Sequence, residues 1–487
     1  MNATSQGGAG DAGPGSGAYL ALVAVATALA GLLFGFDTAV IAGTVDRVQA
    51  QYSLSALDVG IFTSSALAGC IVGAIGAGWM GDRFGRKPSL VVAGVLFLAS
   101  AFFSMLPPNY PGLLVARVIG GVGVGIASVL APTYLSELAP PRIRGRLVAG
   151  YQLSIVVGIL AAYLSNWLIL RAALADGDWP AGLRFVLVDE PWRGMFGAEM
   201  IPNVLFLLML FVVPESPRWL IETGRVERGR AILERISGPE VAAREVADIT
   251  AAASAESGLL AELLAPGLRR ALLVGVLLSV FGQLSGVNIV IYYGPKILDA
   301  AGFAETAAFL GQVGFGLINL VFTVLALMLI DSLGRRPLLV GGMGVVAATL
   351  AVIGVLFQGI GPLADAAPAA AAGLAPGVAP GRAIAIGVAI CVYMAAIAFS
   401  ICAVIWVLTP EIFPNRVRGR AVSLCTFANW TTNALAALAF PWVVERFGMA
   451  AAFLAAAAIC AVATAFFYLA VPETKGRSLE AIEAGWR

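Results

Sequence analysis

Two charged side chains stand where a lipid environment makes charge costly. Asp37 and Arg117 interrupt the long apolar runs 19–43 and 112–136. An ionised side chain at the centre of a membrane helix costs roughly 2.5–3.5 kcal/mol, so one that persists there has a partner and a role. Successive spans run in opposite directions, which puts Asp37 about six and Arg117 about five residues from the same membrane surface. At 1.5 Å per residue they reach one depth. The pair reads either as a permanent buried ion pair or as a proton switch in which protonating Asp37 frees Arg117. Glu199, in the run 195–213, is a second candidate acid. The chain has no histidine. That excludes histidine metal sites, Ser-His-Asp catalysis and a histidine proton relay, and leaves proton chemistry to a carboxylate. No nucleophile–base or metal-ligand set appears, so neither an enzyme nor a cofactor is expected.

Polar side chains inside the apolar runs point to the cargo. Gln152, Gln283, Asn288, Asn319, Asn429 and Asn433 are amides, and Tyr292, Tyr293, Trp406 and Trp430 add aromatic faces. Amides match the donor and acceptor character of hydroxyls, and rings stack on the C–H faces of a sugar. A charged solute would call for more than one intramembrane Arg or Lys. For each amide taken singly, helix–helix adhesion is an equal alternative. As a set they favour a small neutral polyol.

The charged loops form a third group. Asp82, Arg83 and Arg86 lie in a Gly-flanked turn, Glu137 precedes Arg144, and Glu215 and Arg218 lie in Pro214-Glu-Ser-Pro-Arg-Trp-Leu220. Asp331 with Arg335, and Glu411 with Arg418, repeat the pattern later in the chain. These clusters are expected to pair across two halves of the molecule and hold one side shut. The bland alternative is that they only set orientation in the membrane.

The elements that must position these residues follow from composition. Of 487 residues, 60% are hydrophobic and 12% charged, with a net charge of +1 and a mean hydropathy of +0.91. A soluble domain carries about twice that charged fraction, and nothing suggests a nucleic-acid partner. The five cysteines lie in apolar stretches without disulfide or metal spacing and read as small core residues. Spanning helices of about 20 apolar residues are predicted at 19–43, 57–81, 88–106, 112–136, 147–170 and 195–213, then at 271–301, 307–330, 337–360, 383–409, 421–440 and 449–470. The seventh is too long for one straight helix, and Gly286, Gly294 and Pro295 suggest that it is broken. Loops of one parity hold 22 of the 30 Lys and Arg, against 6 in the other, with Arg117 and Lys296 inside spans. That bias places both termini in the cytoplasm.

The two sets of six repeat each other. Asp82-Arg-Phe-Gly-Arg-Lys-Pro88 is echoed by Asp331-Ser-Leu-Gly-Arg-Arg-Pro337. Glu137-Leu-Ala-Pro-Pro-Arg-Ile-Arg-Gly-Arg146 is echoed by Glu411-Ile-Phe-Pro-Asn-Arg-Val-Arg-Gly-Arg420, and Pro214-Glu215 by Pro472-Glu473. The expected fold is therefore an all-α membrane protein of twelve helices in two six-helix halves, with a solute site at the midplane between them. The expected divisions are a disordered tail at 1–17, halves at 18–214 and 271–471, a cytoplasmic helical linker at 215–270 and a tail at 472–487. The Ala/Pro/Gly run 361–381 reads as a flexible external loop.

These words resemble the sugar porter family of the major facilitator superfamily, over essentially the whole chain from Tyr19 to Trp486. The match extends to Gly31-Leu-Leu-Phe-Gly-Phe-Asp37-Thr-Ala-Val-Ile, Gln283-Leu-Ser-Gly-Val-Asn288-Ile-Val-Ile-Tyr-Tyr293 and Pro472-Glu-Thr-Lys-Gly-Arg. The resemblance implies that Phe34, Gln152, Gln283, Asn288, Tyr292, Asn319, Trp406, Asn429 and Trp430 line a sugar site. It also implies that Asp37 accepts the coupled proton and that Arg117 is its partner. The function implied is proton-coupled symport of a monosaccharide such as xylose or glucose across the cytoplasmic membrane by a monomer. A passive facilitator or a transporter-like sensor is the alternative, although a sensor would be expected to carry a longer tail. Against the family resembled, five positions depart: Gly282 replaces a glutamine, Cys402-Ala403 replaces a Gly-Pro pair and so removes a kink-forming proline, Asn429 replaces a glutamine, and Ile159 replaces a polar residue.

Overall fold

A computed structural model describes residues 17–107, 109–140, 143–175, 177–253, 260–265, 268–360 and 378–475. The tail at 1–16, most of the loop 361–381 and the end of the chain beyond 475 lie outside the described residues. Among those described, regular structure is entirely helical. Lipid offers backbone N–H and C=O groups no partner, so an apolar segment must satisfy them within itself.

The first half comprises α1 (Gly17–Val40), α2 (Val45–Tyr52), α3 (Ala56–Phe84), α4 (Arg86–Met105), α5 (Tyr110–Leu138), α6 (Arg144–Ala175), the short α7 (Ala181–Arg184), α8 (Pro191–Gly197) and α9 (Met200–Val212). Local signals set their starts. Ser55 and Asp58 form a reciprocal capping box at α3, and the Asn109 side chain accepts from the Gly112 N–H at α5. Three polar helices follow, α10 (Pro217–Glu222), α11 (Val226–Ser237) and α12 (Pro239–Ala253). They mark what we call the linker face of the bundle; the opposite end is the far face.

The second half comprises α13 (Leu268–Leu284), α14 (Val287–Ala300), α15 (Glu305–Leu333), α16 (Arg335–Leu356), α17 (Pro380–Phe399), α18 (Ile401–Glu411) and α19 (Asn415–Ala470). Eleven helical segments are long and apolar enough to cross a membrane. The last cannot be one span, because 56 residues at 1.5 Å each would reach about 84 Å against a hydrocarbon core of about 30 Å. It turns at Gly448, whose φ of 82° and ψ of 165° are not helical. The same backbone conformation reverses the chain at Gly85 and Gly334. The membrane protein thus has twelve spans.

Two spans are broken. The seventh parts between α13 and α14 at Gly286, which has φ 87°, whereas Gly294 and Pro295 lie inside α14 and do not break it. The tenth parts at Ser400 (φ −109°, ψ −102°), although the proline that would kink it is replaced by Ala403. The break therefore needs no proline. It coincides with a close helix contact, since a Cβ on Gly342 of α16 would lie 2.1 Å from the Ser400 Cβ. Small residues also seat α3 on α5. A Cβ at Gly69 or Gly73 would fall 2.2 Å from the Val118 or Val122 carbonyl oxygen, and one at Gly121 would fall 1.9 Å from that of Ala66. Across the halves, α3 packs on α19 and α6 on α15.

Candidate functional site

A cavity of about 130 Å³ lies between the halves, several times the roughly 30 Å³ one water claims. Each of the nine residues singled out for a sugar site lines it: Phe34, Gln152, Gln283, Asn288, Tyr292, Asn319, Trp406, Asn429 and Trp430. The broken spans bring them together. The turn at Gly286 lets Gln283 on α13 and Asn288 on α14 meet, with Asn288 Nδ2 donating to Gln283 Oε1 at 2.6 Å. Gln283 Nε2 in turn donates to Asn429 Oδ1 at 2.8 Å. Tyr292 accepts from Asn433 Nδ2 at 2.9 Å. Phe34 and Trp430 face each other across the halves with ring centroids 5.6 Å apart.

Two polar atoms of this wall have no partner: Trp430 Nε1 and Asn433 Oδ1, one a donor and the other an acceptor. Buried polar groups are nearly always paired, and leaving one unpaired costs about 1–3 kcal/mol. A hydroxyl, which both donates and accepts, satisfies either one. The arrangement suits a compact neutral polyol.

Sequence reasoning missed Thr38, Val156 and Thr323 on the wall, as well as Ile401 and Ile405. Thr38, Val156 and Thr323 each lie four residues after a named residue (Phe34, Gln152, Asn319). Asn433 stands in the same relation to Asn429. One helical turn was the signal available.

The buried charges lie on another face of α1. Asp37 and Arg117 are each 2% exposed, and Arg117 Nη1 donates to Asp37 Oδ1 at 2.6 Å. Arg117 Nη2 also donates to the Asp37 carbonyl at 3.3 Å, and its guanidinium lies 5.1 Å from the Phe196 ring centroid. Glu199, at the junction of α8 and α9, is 1% exposed. Its Oε1 has no hydrogen-bond partner. Asp37 and Arg117 thus form a buried ion pair, and Glu199 is a further buried carboxyl where α9 packs on α1. Phe34 and Thr38 on one face of α1 line the cavity, while Asp37 on another face meets Arg117.

The charged clusters at the linker face close within their own halves. Arg86 binds Glu137 at 3.0 Å and Asp82 at 3.1 Å, and Ser216 donates to Glu137 at 2.5 Å. Arg335 binds Glu411 at 3.0 Å and Asp331 at 2.9 Å, and Thr474 donates to Glu411 at 2.6 Å. Glu215 accepts from the Arg86, Lys87 and Ser216 N–H groups. Glu473 accepts from those of Arg335, Arg336 and Lys475. Gly85 and Gly334 make room for these carboxylates, since a Cβ on either would lie 2.3 or 2.7 Å from an oxygen. The environments still differ. Burial dominates at Glu215 and pushes its carboxyl above the usual range despite the N–H donors. At Glu473 burial also pushes upward, but the N–H donors overcome it and hold the carboxyl below that range.

Arg218 pairs with Glu222 on its own helix, and Arg418 donates to the Phe413 carbonyl. Arg83 is exposed, and the Arg144 side chain lies outside the described residues. The ion pairs that do bridge the halves are at the far face. Lys296 meets Asp46 at 3.1 Å and Gln49 at 2.7 Å, and Arg47 meets Glu305 at 2.7 Å. Among the described residues, the clusters expected to pair across the halves therefore do not do so in this arrangement, and residues not singled out in the sequence do.

Comparison with known proteins places this architecture. The family model for the sugar (and other) transporter matches residues 23–486. The chain belongs to the sugar transporter family. It is 38% identical over 469 residues to the arabinose-proton symporter of Bacillus subtilis, covering 96% of this chain and 95% of that one. To the D-xylose-proton symporter of Escherichia coli it is 36% identical over 501 residues, with 96% of both chains covered. Its fold superposes on the inward-open xylose transporter of E. coli with a TM-score of 0.80 at 34% identity, covering 96% of this chain and all of that one. The same transporter bound to 6-bromo-6-deoxy-D-glucose gives 0.74, with 96% and 99% covered. Members of the family move solutes rather than transform them, so this chain is a transporter and not an enzyme.

Proposed function

We propose that the chain is a proton-coupled monosaccharide symporter of the cytoplasmic membrane, working as a monomer by alternating access. The single observation that carries the reading is the double role of α1. It presents Phe34 and Thr38 to the cavity and Asp37 to Arg117. A change in the protonation of Asp37 alters the seating of the helix that touches the sugar, and a bound sugar alters the cluster that holds the proton. Deprotonated Asp37 holds Arg117. Protonation releases it and permits the loaded halves, 18–214 and 271–471, to rock.

The excess of Lys and Arg at the linker face supports a cytoplasmic placement for it and for both termini. The far-face pairs Asp46–Lys296 and Arg47–Glu305 then seal the outside in this arrangement. Likeness to an inward-open relative supports the same reading. In the opposite state the far-face pairs part, and the Arg86–Glu137 and Arg335–Glu411 clusters approach each other from the two halves. The named sugars of the relatives, arabinose and xylose, make pentoses and hexoses the solutes to test. Uptake of radiolabelled pentoses, hexoses and inositol into proteoliposomes, with and without an inward pH gradient, tests the proposal. Gradient-stimulated accumulation of a monosaccharide is expected; uptake of none of them refutes it.

A further inference from the structure

Pro295 lies inside α14 without breaking it. A proline has no N–H, so the carbonyl four residues earlier, that of Ile291, loses its helical partner. A buried carbonyl left unpaired is costly, and two side chains take the place of the missing donor. Gln312 Nε2, on α15 of the same half, donates to the Ile291 carbonyl at 3.1 Å. Tyr163 Oη, on α6 of the other half, donates to it at 3.2 Å. Both residues are 2% exposed. Gly294 makes the first contact possible, since a Cβ there would fall 1.6 Å from Gln312 Oε1. Gly316 on α15 seats the tyrosine, since a Cβ there would lie 2.9 Å from its ring.

This contact joins the halves on the far side of the central cavity. Gln312 lies between Glu305, at the far face, and Asn319, on the cavity wall. Tyr163 lies one helical turn beyond Ile159, another residue of that wall. The other polar contacts of α14 either stay within its own half or lie near the surface. Tyr292 accepts from Asn433, and Tyr293 donates to the Ala437 carbonyl, both on α19. Lys296 does cross to Asp46, but the Asp46 side chain is 53% exposed. Exposed ion pairs contribute little. The buried bond from Tyr163 is the firmer hold on α14.

We infer that Tyr163 is a positioning residue for alternating access: its hydroxyl latches α14 to the first half while the far face is closed, and Gln312 keeps the Ile291 carbonyl paired when the halves part. The carbonyl that Pro295 frees thus has one partner from each half. Removing the Tyr163 bond weakens the state closed at the far face. Removing the Gln312 bond weakens the open state most, because there the carbonyl has lost Tyr163 already. The inference rests on the alternating-access reading of the chain.

The test is the distribution of distances between spin labels at Ser53 and Thr306, one on each half at the far face, in the full chain reconstituted in lipid. One hydrogen bond is worth about 3–10-fold in an equilibrium. Tyr163→Phe keeps the ring and removes the hydroxyl. It is expected to raise the ratio of far-open to far-closed molecules by about that factor, and to tighten apparent sugar affinity from the far side while weakening it from the linker side. Gln312→Met, similar in shape but without the donor, is expected to shift the ratio in the opposite direction. Adding Pro295→Ala to Gln312→Met returns an N–H to the helix and should cancel that shift. Loosened packing alone would not produce opposite signs. An unchanged ratio in Tyr163→Phe, or a shift of the same sign in both variants, overturns the inference. Should Tyr163→Phe fail to fold, Gln312→Met with and without Pro295→Ala decides. The distances need neither sugar nor a pH gradient, so the inference can fail while sugar symport stands. A single distance, unmoved by sugar or by any variant, overturns the alternating-access reading as well.

Discussion

Replacing Asp37 by Asn removes the carboxylate that Arg117 holds at 2.6 Å. Deleting one partner of a buried ion pair commonly costs about 3–5 kcal/mol, because the other charge is left uncompensated. In Asp37→Asn the side-chain amide oxygen and the main-chain carbonyl of residue 37, which Arg117 already reaches at 3.3 Å, still accept from the guanidinium, so the variant is expected to fold with reduced stability. What it loses is coupling. In the proposed mechanism Asp37 carries one proton per sugar. A membrane potential of 100 mV acting on one charge supplies about 2.3 kcal/mol. At about 1.4 kcal/mol per tenfold, that sustains roughly forty-fold accumulation of sugar.

The assay is radiolabelled sugar uptake into proteoliposomes with a potassium diffusion potential of about 100 mV, inside negative. Wild type should approach the forty-fold ceiling. Asp37→Asn should stop at equal concentrations on the two sides while still exchanging internal for external sugar. Accumulation several-fold above equality in Asp37→Asn would refute the role given to this carboxylate.

Further outcomes follow from the same contacts. Trp430→Phe keeps the ring near Phe34 but removes the unpartnered Nε1 donor, so sugar affinity should fall about 3–10-fold, the worth of one hydrogen bond, in a binding titration. Lys296→Glu sets like charges against Asp46 and near Glu305. Exposed pairs are worth about 0.2–1 kcal/mol each, so the population closed at the far face should drop by up to about five-fold per pair, read as a longer distance between spin labels at Ser53 and Thr306. The pH dependence should differ in sign between the two halves. The Glu473 carboxyl is held low, so its stabilisation is present above the ordinary carboxylate range and is lost as pH falls. Glu473→Gln should therefore lower Tm at pH 7 and converge with wild type in acid. The Glu215 carboxyl is held high, so its ionisation opposes folding as pH rises through the shifted value. Glu215→Gln should lose less Tm than Glu473→Gln at pH 7.

The spans were legible because lipid imposes a length and a polarity that hydropathy reads directly. Eight of the nine cavity residues were legible because an amide, an indole or a phenol inside an apolar run needs a reason to be there, and Phe34 was legible only through the family resemblance. The rest of the wall was not. Ile401, Ile405 and Val156 are indistinguishable from lipid-facing residues until the helices are placed, and a threonine such as Thr38 or Thr323 can satisfy itself on its own helix. The break at Ser400 was hidden because it coincides with a contact to Gly342, a residue on another helix. The partners of the charged loops were hidden for a different reason. Glu137 and Arg86 recur as Glu411 and Arg335 at equal spacing, so the sequence allows pairing within a half or across it. Which pairing forms depends on the state of the molecule. The far-face pairs, built from Asp46, Arg47, Lys296 and Glu305, carry no repeated motif at all.

The measurement that bears most directly on the central claim is the simultaneous recording of sugar entry and external pH in proteoliposomes at zero membrane potential. Adding a transported pentose or hexose should alkalinise the medium, with one proton taken up per labelled sugar, and Asp37→Asn should abolish the pH change while sugar still equilibrates. Sugar entry by the wild type with no pH change would contradict proton coupling and leave a passive carrier.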